Sequence, residues 1–252
     1  MGALHAGHRA LIETARSECA VVIVSIFVNP TQFGPNEDYH RYPRTFASDE
    51  SLCRDAGVDM IFAPVADEIY RPGHCTGIEV NGLQDCYEGA SRPGHFRGVC
   101  TIVAKLFHIL EPDVAYFGQK DAQQLRIVQQ MVRDLDFPVE VREHPTIREA
   151  DGLAYSSRNR YLAAEQRQVA PQIYQTLLQI QDWIRDGETA VSVLHQRATD
   201  LLAAIPGANL DYLAILDADT WQSIVTVDRK IIVIVAVYFG ETRLIDNIII
   251  DR

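Results

Sequence analysis

The sequence predicts an α/β fold with a parallel sheet, followed by a smaller α+β domain, and three observations carry that expectation. The run Val21-Val-Ile-Val-Ser-Ile-Phe-Val28 is apolar almost throughout, as a strand buried on both faces requires. Helix-period and strand-like segments alternate as far as Arg142, the pattern of parallel strands joined by right-handed crossovers. Beyond Arg160 the order changes to two helical stretches and then three consecutive β-rich runs.

Taken in order, Leu11, Ile12 and Ala15 recur at helical spacing between Gly7 and Cys19, and the Val21 to Val28 strand follows. A helical stretch from about Asp49 to Ala56 precedes the strand Val58-Asp-Met-Ile-Phe-Ala63. Gly98 to Leu110 precedes Asp113-Val-Ala-Tyr-Phe117, and Asp121 to Asp134 precedes Pro138-Val-Glu-Val-Arg142. Helical periodicity returns from about Ala164 to Arg185, closed by Asp186-Gly187, and again from Val191 to Ala204. Leu210 to Leu216, Ile231 to Tyr238 and Thr242 to Ile249 read as strands. The texture changes between Thr146 and Asp151, so the expected domains are 1–147 and 148–252. A doubly wound domain ordinarily opens with a strand that delivers its first ligand loop into a helix. Here the first helix begins almost at Met1, which predicts either an N-terminally shortened fold or a start upstream of Met1.

Composition narrows the function classes. The 252 residues are 47% hydrophobic and 23% charged, an ordinary globular balance. With 34 acidic and 23 basic side chains the net charge is −11, a field that repels polyanions and argues against broad nucleic-acid binding. The longest apolar runs fall well short of the roughly 20 residues that span a bilayer, so no membrane role is expected. Neither a secretory signal nor a transit peptide is visible at Met1-Gly-Ala-Leu-His. Five cysteines, odd in number and without a C-x-x-C pair, suit a reducing, cytoplasmic setting.

Five short segments carry chemistry. His5-Ala-Gly-His8 sets two imidazoles around a glycine where a loop enters a helix, and the helix N-terminus favours a phosphate. Donors placed there stabilise charge as it builds at an attacked phosphorus. Surface histidines at a helix start, or a metal site, are the alternatives. Gly118-Gln-Lys-Asp121 leaves a strand for a helix at the edge where α/β sheets hold ligands. Lys120 offers a mobile cation for polyphosphate, and Asp121 a helix cap or a partner for a ribose hydroxyl or Mg²⁺. Ser156-Ser157-Arg158-Asn159 joins two hydroxyls to a guanidinium on a short loop, suited to a triphosphate, with a polar interdomain turn and a capping serine as the alternative. Asn29-Pro-Thr-Gln32 sets amides at the sheet's carboxyl edge, for a substrate bearing a hydroxyl or carboxylate, and Gln123 and Gln124 open a helix beside that edge. Ser91-Arg-Pro-Gly-His-Phe96 offers Arg92 and His95 either as ligand contacts or as an exposed basic turn.

Together these segments carry a resemblance. Met1 to His8, Ser25-Ile-Phe-Val-Asn-Pro-Thr-Gln-Phe-Gly34, Tyr42-Pro-Arg-Thr45, Ser91 to Phe96, Tyr116-Phe-Gly-Gln-Lys-Asp-Ala-Gln-Gln-Leu125, Arg148 to Gly152 with Ser156 to Asn159, and the closing Thr242-Arg-Leu-Ile-Asp-Asn247 occur in the order found in the pantothenate synthetases. The resemblance covers essentially the whole chain. It implies a Rossmann-like nucleotidyltransferase domain with a smaller C-terminal lid, usually in a homodimer. The implied activity is pantoate:β-alanine ligation, in which ATP converts pantoate to pantoyl adenylate and pyrophosphate, and the β-alanine amine then displaces AMP. Mg²⁺ accompanies ATP; no metal site on the protein and no tightly bound organic cofactor are implied.

By the same resemblance Met1, Gly2, Ala3, Leu4, His5, Ala6, Gly7 and His8 form the ATP loop. Gly118, Gln119, Lys120, Asp121, Ile147, Tyr155, Ser156, Ser157 and Arg158 are further ATP contacts, with Lys120, Ser156, Ser157 and Arg158 on the phosphates. His5, His8, Lys120 and Arg158 are the expected catalytic set. Gln32 and Gln124 match the pantoate-binding glutamines, with Asn29 beside them; amides there suit pantoate better than a phosphorylated substrate. The family assigns His8 as an acid, yet a carboxylate needs no deprotonation near neutral pH, so charge stabilisation at the α-phosphate is its expected role. The chain departs from the family at three places. Ala6 replaces a usual Glu, Tyr155 replaces Met or Leu, and the strand and Pro-Thr pair that precede the methionine are absent. Some members continue into a fused cytidylate kinase domain.

Overall fold

In the computed structural model, which describes residues 2–35 and 37–252, backbone contacts divide the chain into two compact units. One is Met1–Gln119 with Gln123–Pro145; the other is Lys120–Ala122 with Thr146–Arg252. Met1, placed in the ATP loop by the sequence, lies outside the described residues.

In the first unit, helix α1 (Ala6–Glu18) buries Ile12 and Ala15 against Val22, Val24, Cys53 and Ala56. Strand β1 (Ile23–Ser25) follows, then helix α2 (Phe46–Asp55) and strand β2 (Met60–Phe62), which pairs with β1 in parallel. Short helices α3 (Ala66–Ile69) and α4 (Glu88–Ser91) lead to the long helix α5 (His95–Leu110). Strand β3 (Val114–Gly118), helix α6 (Ala122–Asp134) and strand β4 (Glu140–His144) complete the unit, with β3 and β4 parallel. Val99, Val103 and Phe107 of α5 pack on Ile127, Val128 and Met131 of α6, the largest apolar cluster of this unit.

Two expectations need correction. The strand expected over Val21 to Val28 is laddered only over Ile23–Ser25, and Val21 is 64% exposed. The ladder is short because β1 pairs with β2 alone and the chain turns away at Pro30. The four parallel strands also form two separate pairs, β1 with β2 and β3 with β4, and no ladder joins the pairs among the described residues.

In the second unit, the periodicity from Ala164 to Arg185 is two helices, α7 (Ala164–Val169) and α8 (Gln172–Arg185). Pro171 separates them, because a proline cannot donate to the preceding turn. Helix α9 (Val191–Ala203) and strands β5 (Ala208–Asp217), β6 (Ile231–Phe239) and β7 (Thr242–Ile250) follow, forming an antiparallel sheet in the order β5, β6, β7. The central β6 is apolar almost throughout, as its position between two strands and beneath α8 and α9 demands. Ile173, Leu177, Ile180, Leu194 and Leu202 close over Val233, Val235 and Val237. The division falls at Pro145 and Thr146, and Lys120–Ala122 groups with the second unit although it is expected within residues 1–147. No helix among the described residues is long and apolar enough to cross a membrane.

Candidate active site

The histidine pair is built into the start of α1. His5 is the N-cap, and its Nδ1 accepts from the Gly7 backbone N–H at 3.2 Å. His8 returns the bond: its Nδ1 accepts from the His5 backbone N–H, also at 3.2 Å. This is the reciprocal capping arrangement usually made by a hydroxyl and a carboxylate, here made by two imidazoles. Because each Nδ1 accepts from a backbone N–H, each neutral ring carries its hydrogen on Nε2. The rings stand 4.1 Å apart between centroids. The pair thus presents two ring donors at the positive end of a helix, suited to phosphate oxygens.

The backbone before the pair is clamped by a residue with no sequence signal, Asp49 of α2. Its carboxylate is 2% exposed and accepts from the Ala3 N–H at 3.0 Å, the Leu4 N–H at 2.8 Å and the Thr45 hydroxyl at 3.1 Å. Gly2 is buried beside Val28, Ala3 holds a left-handed φ of 51°, and Ala6 is exposed, so the absent Glu side chain removes nothing from the packed face.

The amides after β1 sit in a fixed network. Asn29 is 2% exposed; its Oδ1 accepts from the Thr31 N–H, the Thr31 hydroxyl and the Tyr70 hydroxyl, the last at 2.7 Å. Its Nδ2 donates to the Gly98 carbonyl at 3.1 Å and to Gln32 Oε1 at 3.3 Å. A backbone N–H fixes which end of Asn29 is oxygen, and that in turn fixes the Gln32 amide with its NH₂ directed away from Asn29. The Pro30–Gln32 turn lies directly on α5. A Cβ at Gly98 would come 2.4 Å from the Thr31 carbonyl oxygen, a distance only glycine tolerates.

Arg92, half-buried, and His95, buried, read from sequence as ligand contacts or an exposed basic turn, are supports of this same turn. Arg92 pairs bidentately with Glu37 at 2.8 and 2.7 Å and reaches Glu88 at 3.2 Å. His95, 7% exposed, bridges Arg92 Nη1 and the Gln32 carbonyl. Burial, with the Arg92 charge adding to it, lowers the His95 imidazole to about 4. Burial pushes the Glu37 carboxyl up, but the Arg92 guanidinium more than offsets it, leaving the group below its ordinary range. Gln124 is half-buried on α6. Its neighbour Gln123 is 6% exposed, bonding the Leu83 and Cys86 carbonyls and the Glu88 N–H, so it is a structural clamp and not a solvated helix residue.

Gly118 ends β3, and Gln119–Asp121 form a single 3-10 turn that opens into α6. Lys120 Nζ lies 3.7 Å from the Asp121 carboxylate, and the Lys120 carbonyl accepts from Asn247 Nδ2 at 3.0 Å. Lys120 and Asn247 both belong to the second unit. In the same unit Arg148 and Ala154 bridge across a tight turn at Gly152, and Tyr155 donates back to the Ile147 carbonyl at 3.0 Å. Ser156 accepts from the Arg158 N–H at 3.2 Å and so caps the turn Ser157–Tyr161, which carries Ser157 and Arg158. Asn159 ties that turn back to Glu149 and the Ala154 carbonyl at 2.8 and 3.0 Å.

An α/β unit that presents a histidine pair at a helix N-terminus, joined to an α+β unit carrying a Ser-Ser-Arg turn, defines a nucleotidyltransferase-like enzyme with a C-terminal domain. The family model described as pantoate-beta-alanine ligase matches residues 1–249, and the chain belongs to that family. Pantothenate synthetase from Moorella thermoacetica is 50% identical over 251 residues, covering 100% of this chain and 89% of the relative. The enzyme of that name from Thermosipho africanus is 48% identical over 250 residues, covering 99% of this chain and 90% of the relative. Among solved structures, pantothenate synthetase from Thermus thermophilus superposes with a TM-score of 0.95 at 50% identity, covering 98% of this chain and 90% of that one. Pantoate-beta-alanine ligase from Francisella tularensis, complexed with beta-gamma ATP and beta-alanine, superposes with a TM-score of 0.79 at 38% identity, covering 98% and 86%. The chain is an ATP-dependent carbon–nitrogen ligase of this type.

Proposed function

We propose that this ligase makes pantothenate in two steps, with the reciprocal His5 and His8 cap as the observation that carries the reading. In the first, a pantoate carboxylate oxygen bonds to the α-phosphorus of ATP, the bond from that phosphorus to the bridging oxygen breaks, and pyrophosphate leaves. In the second, the β-alanine amine bonds to the acyl carbon, AMP departs with the carboxylate oxygen, and the amine loses a proton. His5 and His8 donate from Nε2 as negative charge builds on the α-phosphate oxygens; neither has to remove a proton from pantoate. Lys120, Ser156, Ser157 and Arg158 take the phosphates, and Gly2, Ala3, Leu4, Gly7, Gly118, Gln119, Ile147 and Tyr155 lie along the nucleotide. Gln32, oriented by Asn29, donates to pantoate, and Gln124 is its second amide partner.

ATP enters as its Mg²⁺ complex. Mg²⁺ that accompanies a nucleotide is held mainly by the phosphates and its waters, with one or two carboxylates from the protein. Asp121, next to Lys120, is the residue that would hold it. The reading includes a cytoplasmic location, supported by five free thiols, and a homodimer, supported by the family resemblance. Pyrophosphate exchange tests the first step: purified protein should exchange labelled pyrophosphate into ATP only when pantoate is present, and exchange independent of pantoate would refute it.

A further inference from the structure

The closing segment Thr242-Arg-Leu-Ile-Asp-Asn247 has no part in the steps above, yet it sets two buried polar side chains, Asp246 and Asn247, within the apolar stretch from Leu244 to Ile250. Asp246 is 5% exposed and Asn247 is 4% exposed, with Leu244, Ile245 and Ile248 to Ile250 around them in sequence. Asp246 is ion-paired with Arg148, and replacing a buried ion pair with apolar residues is often neutral or stabilising, so stability alone does not explain it. We propose that Asp246 and Asn247 are positioning residues that set where the Ser156–Arg158 turn and Lys120 stand; this rests on the reading that those residues take the ATP phosphates.

Each member holds one segment, and strand alternation sends the two in opposite directions. Asp246 shares its parity with Leu244 and Ile250, which face the core beneath α8. There it receives Arg148 in a two-pronged pair at 2.6 and 2.9 Å. The guanidinium also donates to the Gly152 carbonyl at 3.1 Å and lies 3.4 Å from the centre of the Tyr174 ring, so it is held on several sides. Arg148 begins the tight turn from which Tyr155 to Arg158 emerge, and Asn159 locks that exit to Glu149. On the other face Asn247 Nδ2 donates to the Lys120 carbonyl at 3.0 Å. The two anchors are coupled, because Asp246 Oδ1 accepts from the Asn247 backbone N–H at 2.8 Å. Adjacent residues of one strand thus hold the backbones of both cationic segments in register.

A double-mutant cycle with Lys120 reads this directly. Asn247→Ala should slow pantoate-dependent pyrophosphate exchange by about ten- to hundred-fold, the scale of a small misplacement of a reacting group. Attack of β-alanine on supplied pantoyl adenylate should stay within about two-fold, because the β- and γ-phosphates on which Lys120 is placed have already left as pyrophosphate. In a Lys120→Ala background, Asn247→Ala should cost less than about two-fold in exchange. Asn247→Leu, close in volume and suited to the apolar strand, should behave alike and keeps the test open if the alanine variant unfolds. Equal fold-losses in both backgrounds, equal losses in both half-reactions, or unchanged exchange would overturn the proposal. Unchanged exchange in Lys120→Ala alone would refute the phosphate role of Lys120, and the positioning proposal with it.

Discussion

His95 Nδ1 stands 2.8 Å from the backbone carbonyl of Gln32. Arg92, which only donates, occupies the other ring nitrogen at 3.1 Å, so the imidazole is neutral, with Nε2 accepting and Nδ1–H donating. The folded chain lowers this group to about 4, whereas an unfolded histidine titrates near 6.5. The contribution is therefore complete above the unfolded value and is lost as pH falls toward the folded one, as the unfolded chain takes up a proton that the folded chain refuses. Linkage gives a loss of roughly 2 kcal/mol between pH 7 and pH 5. Denaturant unfolding at several pH values should show that slope in the native protein and a flatter one in His95→Gln. Equal slopes would show that His95 is not held neutral.

Much of this arrangement was legible in the sequence, but unevenly. Helix and strand order followed from apolar spacing, as with the helical stretch Gly98 to Leu110, which forms most of α5. The extent of β1 did not, because an apolar run records burial and not how many neighbours a strand finds. His5 and His8 could be placed at a helix start, but their mutual capping depends on ring orientation. Asp49 gave no signal at all: it clamps Ala3 and Leu4 from 46 and 45 positions away, a pairing only tertiary structure creates. Arg92 and His95 read either as ligand contacts or as an exposed basic turn, because a Pro-Gly turn is commonly exposed; Glu37 and Glu88 draw them inward.

Gln32→Ala and Gln124→Ala should weaken pantoate while sparing ATP. A hydrogen bond to a charged group contributes about 1.5–3 kcal/mol, so the KM for pantoate should rise about ten- to hundred-fold. Steady-state kinetics with each substrate varied separately distinguishes the cases. An equal rise in the ATP KM would point to a damaged fold.

His8→Ala should lose turnover by about 10² to 10³, the scale of one transition-state donor. Its lost cap on the His5 N–H should also cost about 1 kcal/mol of stability. Single-turnover adenylation read beside thermal unfolding separates the two effects. Unchanged turnover with a raised KM would assign His8 to binding alone.

Gly98→Ala should disturb pantoate handling without touching a ligand. The added methyl would meet the Thr31 carbonyl at 2.4 Å and push the Gln32 turn off α5. Overpacking of this kind costs about 1–3 kcal/mol. The expected signature is a raised pantoate KM together with a lowered melting temperature; a variant indistinguishable from the native protein in both would show that the turn yields freely.

The most direct measurement is pyrophosphate release by the purified 252-residue chain given ATP, Mg²⁺ and pantoate, with and without β-alanine. The two-step account predicts a burst near one pyrophosphate per active site without β-alanine and steady release with it. Release that requires β-alanine from the first turnover, or release that ignores pantoate, would contradict it.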